Sequence, residues 1–239
     1  MNKLNQLNQI EIDYHIKQWE STYRSTDHFY KFIKGNLESS KKIVDLGCGT
    51  GGCTYYISTK HNKCKYIGID NSKKYIDIGL DILELKKSNN LDFIVDDWFN
   101  LNQYSNVDGV ISLQTLSWLP EFENPLKEIF NKIKPQWISL SSLFYEGEIT
   151  IKSTVYQRKN FQHSKSYYNT YSIPLLDQYC REYGYKIENY KPFEIDIDIK
   201  KPKDKNIMGT YTVKTVENNR LQISGPLLMN WYFIKIVKI

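Results

Sequence analysis

The segment Ile43-Val-Asp-Leu-Gly-Cys-Gly-Thr-Gly-Gly52 is where this 239-residue chain concentrates its chemistry. It runs from an apolar stretch through a carboxylate, Asp45, into glycines at 47, 49, 51 and 52. Glycine tolerates left-handed backbone and lets a ligand approach the main chain closely, so the segment predicts a strand, a tight turn against a ligand, and then a helix. The bare spacing of Gly47, Gly49 and Gly52 satisfies G-x-G-x-x-G, and a dinucleotide-binding turn is one reading. Such a ligand would bring an anionic pyrophosphate to the turn.

Charge separates the readings. Asp70 closes a second apolar run and Asp96 with Asp97 closes a third, as Asp45 closes the first. In a parallel sheet these carboxylates would share one rim and repel phosphate. They suit a ligand with a ribose whose hydroxyls donate to Asp70, an amine for a carboxylate to hold, and a positively charged sulfonium. S-adenosylmethionine carries all three.

The elements that must position these groups are legible as an alternation. Apolar runs at Lys42 to Leu46, Lys65 to Asp70, Asp92 to Asp96, Val107 to Leu113 and Trp137 to Phe144 read as buried parallel strands. Between them lie helical patterns at Ser72 to Lys86, with Ser72 as N-cap, and at Glu121 to Ile133. This order predicts a doubly wound α/β sheet. Ahead of it, Ile12 to Glu20 and Thr26 to Leu37 read as two helices forming a lid. Behind it the pattern predicts a helix from Ile173 to Tyr183, a half-exposed strand from Phe193 to Ile199, a hairpin turning at Glu217-Asn218-Asn219 and a final buried strand from Trp231 to Ile239.

Asp45-Leu-Gly-Cys-Gly-Thr-Gly51, Ile69-Asp70-Asn71-Ser72, Phe93-Ile-Val-Asp-Asp-Trp98 and Asp108-Gly-Val-Ile-Ser-Leu-Gln114 resemble, in order and spacing, the motifs of class I S-adenosylmethionine-dependent methyltransferases. The resemblance covers about residues 40 to 145. It implies a Rossmann-like, seven-stranded, mostly parallel sheet with an antiparallel C-terminal strand, here with a small C-terminal β-hairpin insertion. It also implies that Gly47, Cys48 and Gly49 lie along the methionine part of the donor, with Asp45 organising its ammonium. Asp70 would take the ribose hydroxyls, Asn71 would flank the adenine, Asp97 would accept from the adenine amine, Trp98 would offer its backbone N–H, and Gln114 would line the methyl-bearing side. The family often has glycine where Asp96 stands, which leaves the choice within the acidic pair to alignment. Arg24, one of only four arginines, is a candidate clamp for a carboxylate. The tail around Gly209 to Val213 and Leu221 to Phe233 resembles small bacterial methyltransferases associated with surface-polysaccharide or capsule biosynthesis.

Methyl transfer from a sulfonium is an in-line displacement, so the protein aligns the reactants and, for a hydroxyl acceptor, removes a proton. Glu146, just past the fifth predicted strand, and His163, in a long segment without assignable structure, are the candidate bases. His15 and His28 read as surface residues. Trp19, Tyr23, Tyr145 and Tyr168 are candidate walls for an acceptor, since aromatic faces suit sugars and cationic amines. The expected acceptor is a small polar molecule, most simply a sugar, nucleotide-sugar or capsule precursor. The alternatives are an RNA or protein methyltransferase, or a cofactor-binding scaffold without catalysis. After the fourth strand Gln114-Thr-Leu-Ser-Trp-Leu-Pro120 lacks an amine-binding Asn-Pro-Pro-Tyr pattern and the acid-and-Asn cluster of a metal-dependent enzyme, so no metal is expected.

Composition bounds the rest. The chain is 41% hydrophobic and 25% charged, with 12 Gly and 7 Pro, which excludes a collagen-like or wholly disordered chain. The formal charge of +5 comes from 32 basic residues, mostly Lys, interspersed with 27 acids, and shows none of the Arg clustering of a phosphate-tracking surface. Nucleic acid is therefore not the expected partner. The four cysteines, Cys48, Cys53, Cys64 and Cys180, form no CxxC pair. No stretch approaches a membrane span, and the polar N-terminus predicts a cytoplasmic protein. One domain over 1–239 is expected: a helical lid at 1–38, a cofactor core at 39–145 and a substrate-side region at 146–239. The sequence is silent on oligomeric state.

Overall fold

A computed structural model describes residues 3–159, 162–201, 203, 210–224, 227–228 and 231–239. Helices α1 (Lys3–Glu20) and α2 (Arg24–Leu37) precede the core. The core then alternates β1 (Lys42–Leu46), α3 (Gly52–Lys60), β2 (Lys65–Asp70), α4 (Lys73–Lys86), β3 (Leu91–Val95), β4 (Gly109–Leu113), α5 (Glu123–Glu128) and β5 (Trp137–Tyr145). After it come β6 (Thr154–Lys159), β7 (Gln162–Tyr167), β8 (Tyr171–Ser172), α6 (Ile173–Glu182), β9 (Tyr185–Phe193), β10 (Thr210–Lys214), β11 (Arg220–Ser224), β12 (Leu227–Leu228) and β13 (Trp231–Lys238).

The main sheet has the order β3-β2-β1-β4-β5-β13-β9, with the short β8 added beside β5. Strands β1 to β5 pair in parallel, and β13 runs antiparallel between β5 and β9. The chain reverses direction outward from β1, to β2 and β3 on one side and to β4 and β5 on the other, so the switch point lies at the carboxyl end of β1. Ser72 caps α4 as expected, its hydroxyl accepting from Tyr75 N–H, and Gly184, at φ 77°, follows α6.

Helices cover both faces. On one, Phe29, Ile33 and Leu37 of α2 pack with Ile57 of α3, Ile76 and Leu83 of α4, and Trp19 of α1 over Ile43, Tyr66, Ile111 and Phe233. On the other, Leu126, Ile129 and Phe130 join Leu176 and Cys180 of α6 over Val44, Ile138, Leu140 and Ile234. Apolar side chains of β1 therefore point alternately to two cores, which is why that strand reads as a continuous apolar run.

Three segments differ from the sequence reading. The helix expected at Glu121 to Ile133 divides into α5 and a π-helical turn over Ile129–Ile133. The strand expected at Phe193 to Ile199 lies earlier, as β9, because pairing with β13 decides its limits, while Glu-Ile-Asp-Ile alternates without forming a strand and reaches β10 through Ile199, which bonds Thr212. The unassigned segment after Glu148 contains the antiparallel pair β6 and β7, which is separate from the main sheet. The expected hairpin forms between β10 and β11, with Asn218 at φ 63° in its turn.

Candidate active site

The loop after β1 is tied to the end of β2 by its own backbone. Gly47 and Cys48 N–H both donate to Ile69 O, at 2.8 and 3.0 Å, and Gly51 N–H donates to Cys48 O at 2.9 Å. Gly49 N–H donates to Asp70 Oδ2 at 2.9 Å, while Ser72 N–H donates to Asp70 Oδ1 at the same distance. The Asp70 carboxylate therefore locks the loop and the start of α4 together. Gly47 and Gly49 take φ 75° and 59°, and a methyl group added to Gly47 would lie 2.4 Å from Thr115 Oγ1. Both positions need glycine, for conformation and for space.

Asp45 is 1% exposed. Its Oδ2 accepts from Thr54 Oγ1 at 2.5 Å, whereas its Oδ1 is buried without a hydrogen-bond partner among the described residues. Burial, reinforced by the nearby Asp70 charge, pushes the carboxyl up to about 7, against the opposing effect of the Thr54 hydrogen bond. Burial likewise raises the Cys48 thiol well above its usual range and pushes Cys53 up to about 12, so both stay protonated and neither is a ready nucleophile.

At the end of β3 the two adjacent acids differ. Asp96 accepts from Asp97 N–H at 2.9 Å through Oδ1 and from Tyr104 Oη at 2.8 Å through Oδ2, which also meets the Gln103 amide. Asp97 is half-buried, with Oδ1 accepting from Phe99 N–H at 2.5 Å. Asp96 thus serves the loop more fully than Asp97 does. Asn71 is exposed beside Asp70, and the Trp98 ring is buried in the α5 and α6 core. Gln114, half-buried at φ 61°, donates its N–H to Ser141 O at 2.6 Å where β4 ends.

Other sequence candidates are more dispersed. Trp19 is buried and donates through Nε1 to Thr50 Oγ1 at 3.1 Å, bracing the loop from α1. Tyr23 Oη donates to Tyr14 O, and Arg24 forms an ion pair with Asp196 at 2.7 Å. Tyr145 is 40% exposed at the end of β5, and buried Tyr168 meets Trp118 edge to face at 4.9 Å. Glu146 accepts from Tyr232 Oη at 3.3 Å and lines a groove with Pro174, Asp177 and Tyr190, beside α6. His163 pairs with Arg158 in the β6–β7 register, and its side chain lies outside the described residues.

Thr115 and Trp118 carry no signal in the sequence reading, and His15, read there as a surface residue, is half-buried against the glycine loop. The i, i+3, i+4 spacing of His15, Gln18 and Trp19 marks a common helical face, but only tertiary packing shows that this face meets the glycine loop. Trp118 is 41% exposed in the turn after β4, a position that no local pattern marks.

The site accepts the donor's chemistry: a buried carboxylate oxygen with no partner among the described residues, a carboxylate at the end of β2 and a loop of close-packed glycines. Residues 37–205 match a family described as methyltransferase domain, and the chain belongs to that family of S-adenosylmethionine-dependent enzymes. It is 29% identical over 135 residues to malonyl-[acyl-carrier protein] O-methyltransferase of Bacillus anthracis, covering 55% of this chain and 49% of that protein. It is 26% identical over 123 residues to (S)-tetrahydroprotoberberine N-methyltransferase of Eschscholzia californica, covering 50% and 33%. The chain thus spans half or less of these two relatives. In fold it is similar to an O-methyltransferase from a polyketide synthase multienzyme of Brevibacillus brevis, solved with S-adenosyl-L-homocysteine, at TM-score 0.59 and 11% identity over 89% of this chain and 71% of that one. No helix among the described residues is long and apolar enough to cross a membrane.

Proposed function

We propose that the chain transfers the methyl group of S-adenosylmethionine to an O or N atom of a small polar acceptor, a sugar or nucleotide-sugar such as a capsule precursor. The observation that carries this reading is two partly exposed aromatic rings, Trp118 in the turn after β4 and Tyr145 at the end of β5, each about two-fifths exposed, with Trp118 meeting buried Tyr168 edge to face. Half-open aromatic faces suit the C–H face of a sugar ring or a cationic amine. The turn that carries Trp118 is held by side-chain hydrogen bonds. Ser117 N–H donates to Ser142 Oγ, Leu143 N–H donates to Ser117 Oγ, and Asn169 Nδ2 donates to Leu119 O.

Bound S-adenosylmethionine would supply the electrophilic methyl group. Asp45 would hold its ammonium, Asp70 would accept from its ribose, Asn71 would border the adenine, Trp98 would offer its backbone N–H, and Asp97 would accept from the adenine amine. Gln114 would flank the reacting methyl. An amine acceptor needs no base once neutral, whereas a hydroxyl acceptor needs one of Glu146 or His163 within reach. The N-methyltransferase relative keeps the amine arm open.

The test is radiolabelled methyl transfer to matched panels of nucleotide-sugars, free sugars, small amines, acyl-carrier protein thioesters and tRNA. Methylation of a sugar-bearing acceptor, reduced by Trp118→Ala through acceptor KM, supports the reading. Turnover confined to tRNA or to the carrier-protein thioester sinks it.

A further inference from the structure

The β6–β7 pair is a sheet of two strands apart from the main one, and two strands alone are marginally stable in water, so contacts at its root must hold it in place. That root lies against the turn that carries Trp118. Tyr168 N–H donates to Ser153 O at 2.9 Å, closing the pair at its base, and Asn169 N–H donates to Ser117 O at 2.9 Å.

The Asn169 side chain, fully buried between β7 and β8, bonds both structures at once. Its Oδ1 accepts from Ser153 N–H at 3.0 Å, at the entry to β6. Its Nδ2 donates to Leu119 O at 2.8 Å, with Tyr171 Oη at 3.0 Å and Pro120 O at 3.3 Å also in reach. Tyr171 Oη in turn donates to Leu119 O at 3.2 Å, and its ring meets Phe122 edge to face at 5.2 Å. The position demands an acceptor on one branch and donors on the other, which an amide supplies. A carboxylate only accepts, and a hydroxyl has a single donor. Truncation would leave a Ser153 N–H without this acceptor and take a donor from the turn.

We propose that Asn169 is a positioning residue for the methyl acceptor, acting through Trp118 by anchoring its turn to the root of the β6–β7 pair. The inference rests on the reading of Trp118 as part of the acceptor site, and donor binding plays no part in it.

Hydrogen exchange on the protein alone reads the anchoring. Asn169→Ala should speed exchange roughly tenfold or more over both 115–120 and 152–155, and leave the glycine loop unchanged. Kinetics with the panel acceptor that turns over fastest reads the function. Acceptor KM should rise roughly 5- to 20-fold, with kcat and donor Kd within about twofold. Tyr171→Phe keeps the ring and removes Oη, so it should move KM in the same direction by a smaller factor, and it serves if the alanine variant does not fold. In a Trp118→Ala background, Asn169→Ala should add under about twofold, because the ring it positions is gone. Multiplicative effects in the double variant, a loss in kcat or donor affinity equal to that in KM, or loosening of one segment without the other assigns Asn169 to fold stability and overturns the proposal. An acceptor KM unmoved by Trp118→Ala itself overturns the acceptor reading, and the proposal with it.

Discussion

The two halves of the active rim are built on different principles. On the donor half, at the ends of β1 to β3, backbone N–H groups and carboxylates are matched to one another, and Asp45 Oδ1 is left with no protein partner among the described residues. On the half proposed for the acceptor, at the ends of β4 and β5, polar contacts sit below the surface beside partly exposed aromatic rings. The first half can hold one ligand of fixed shape through directional bonds. The second offers area and a face, which different acceptors can share. A family with one donor and many acceptors needs that division of labour.

The contrast is most easily broken at Gly47. Gly47→Ala places a side chain on left-handed backbone and within 2.4 Å of Thr115, so it should abolish measurable donor binding and destabilise the fold by about 2–4 kcal/mol. Calorimetry and thermal melting report the two effects. Asp70→Ala removes the acceptor for Gly49 and Ser72 N–H as well as the expected ribose contact. Donor Kd should rise roughly 10- to 150-fold, by loss of about 1.5–3 kcal/mol. An unchanged Kd would remove Asp70 from the donor site.

Asp45 sharpens the comparison through pH. Its folded carboxyl is raised to about 7 from an ordinary value near 4, so between those limits the folded state binds the extra proton. The free protein should therefore lose stability as pH rises from about 4 through 7. Donor affinity should do the reverse, because the ionised carboxylate is the form that pairs with an ammonium. It should rise about tenfold per pH unit below 7 and level off above it, with a proton released on binding. Asp45→Asn should flatten both profiles, as melting and calorimetry in buffers of different ionisation heat would show.

The smallest effect belongs to the other half. Trp118→Ala, at a partly exposed position, should cost under about 1 kcal/mol of stability and leave donor Kd unchanged within about twofold, while acceptor KM rises about 5- to 20-fold. A parallel loss of donor affinity would show that the halves are not separable.

Much of the donor half was legible because its signals are local. Strands β1 and β2 occupy their expected residues, since alternate side chains enter two opposed cores and leave a continuous apolar run ending in an acid. The glycine loop is readable because left-handed backbone and close contacts restrict residue choice whatever lies around it. The Phe193 to Ile199 expectation missed for the opposite reason: alternation alone makes no strand until β13 supplies a partner.

The amino-acid order by itself determined the parallel alternation, the glycine turn, the acidic row and hence a cationic, ribose-bearing ligand, because each follows from neighbours along the chain. Only the folded chain decided that Asp45 is sealed with one oxygen unmatched among the described residues, that Asp96 serves its own loop, that Arg24 is paired with Asp196, and that His15 faces Gly49. The Arg24 and His15 contacts join residues tens of positions apart, and the burial of Asp45 and the pairing of Asp96 depend on how their elements pack. Burial and hydrogen-bond pairing arise from packing in three dimensions, where sequence distance carries no information.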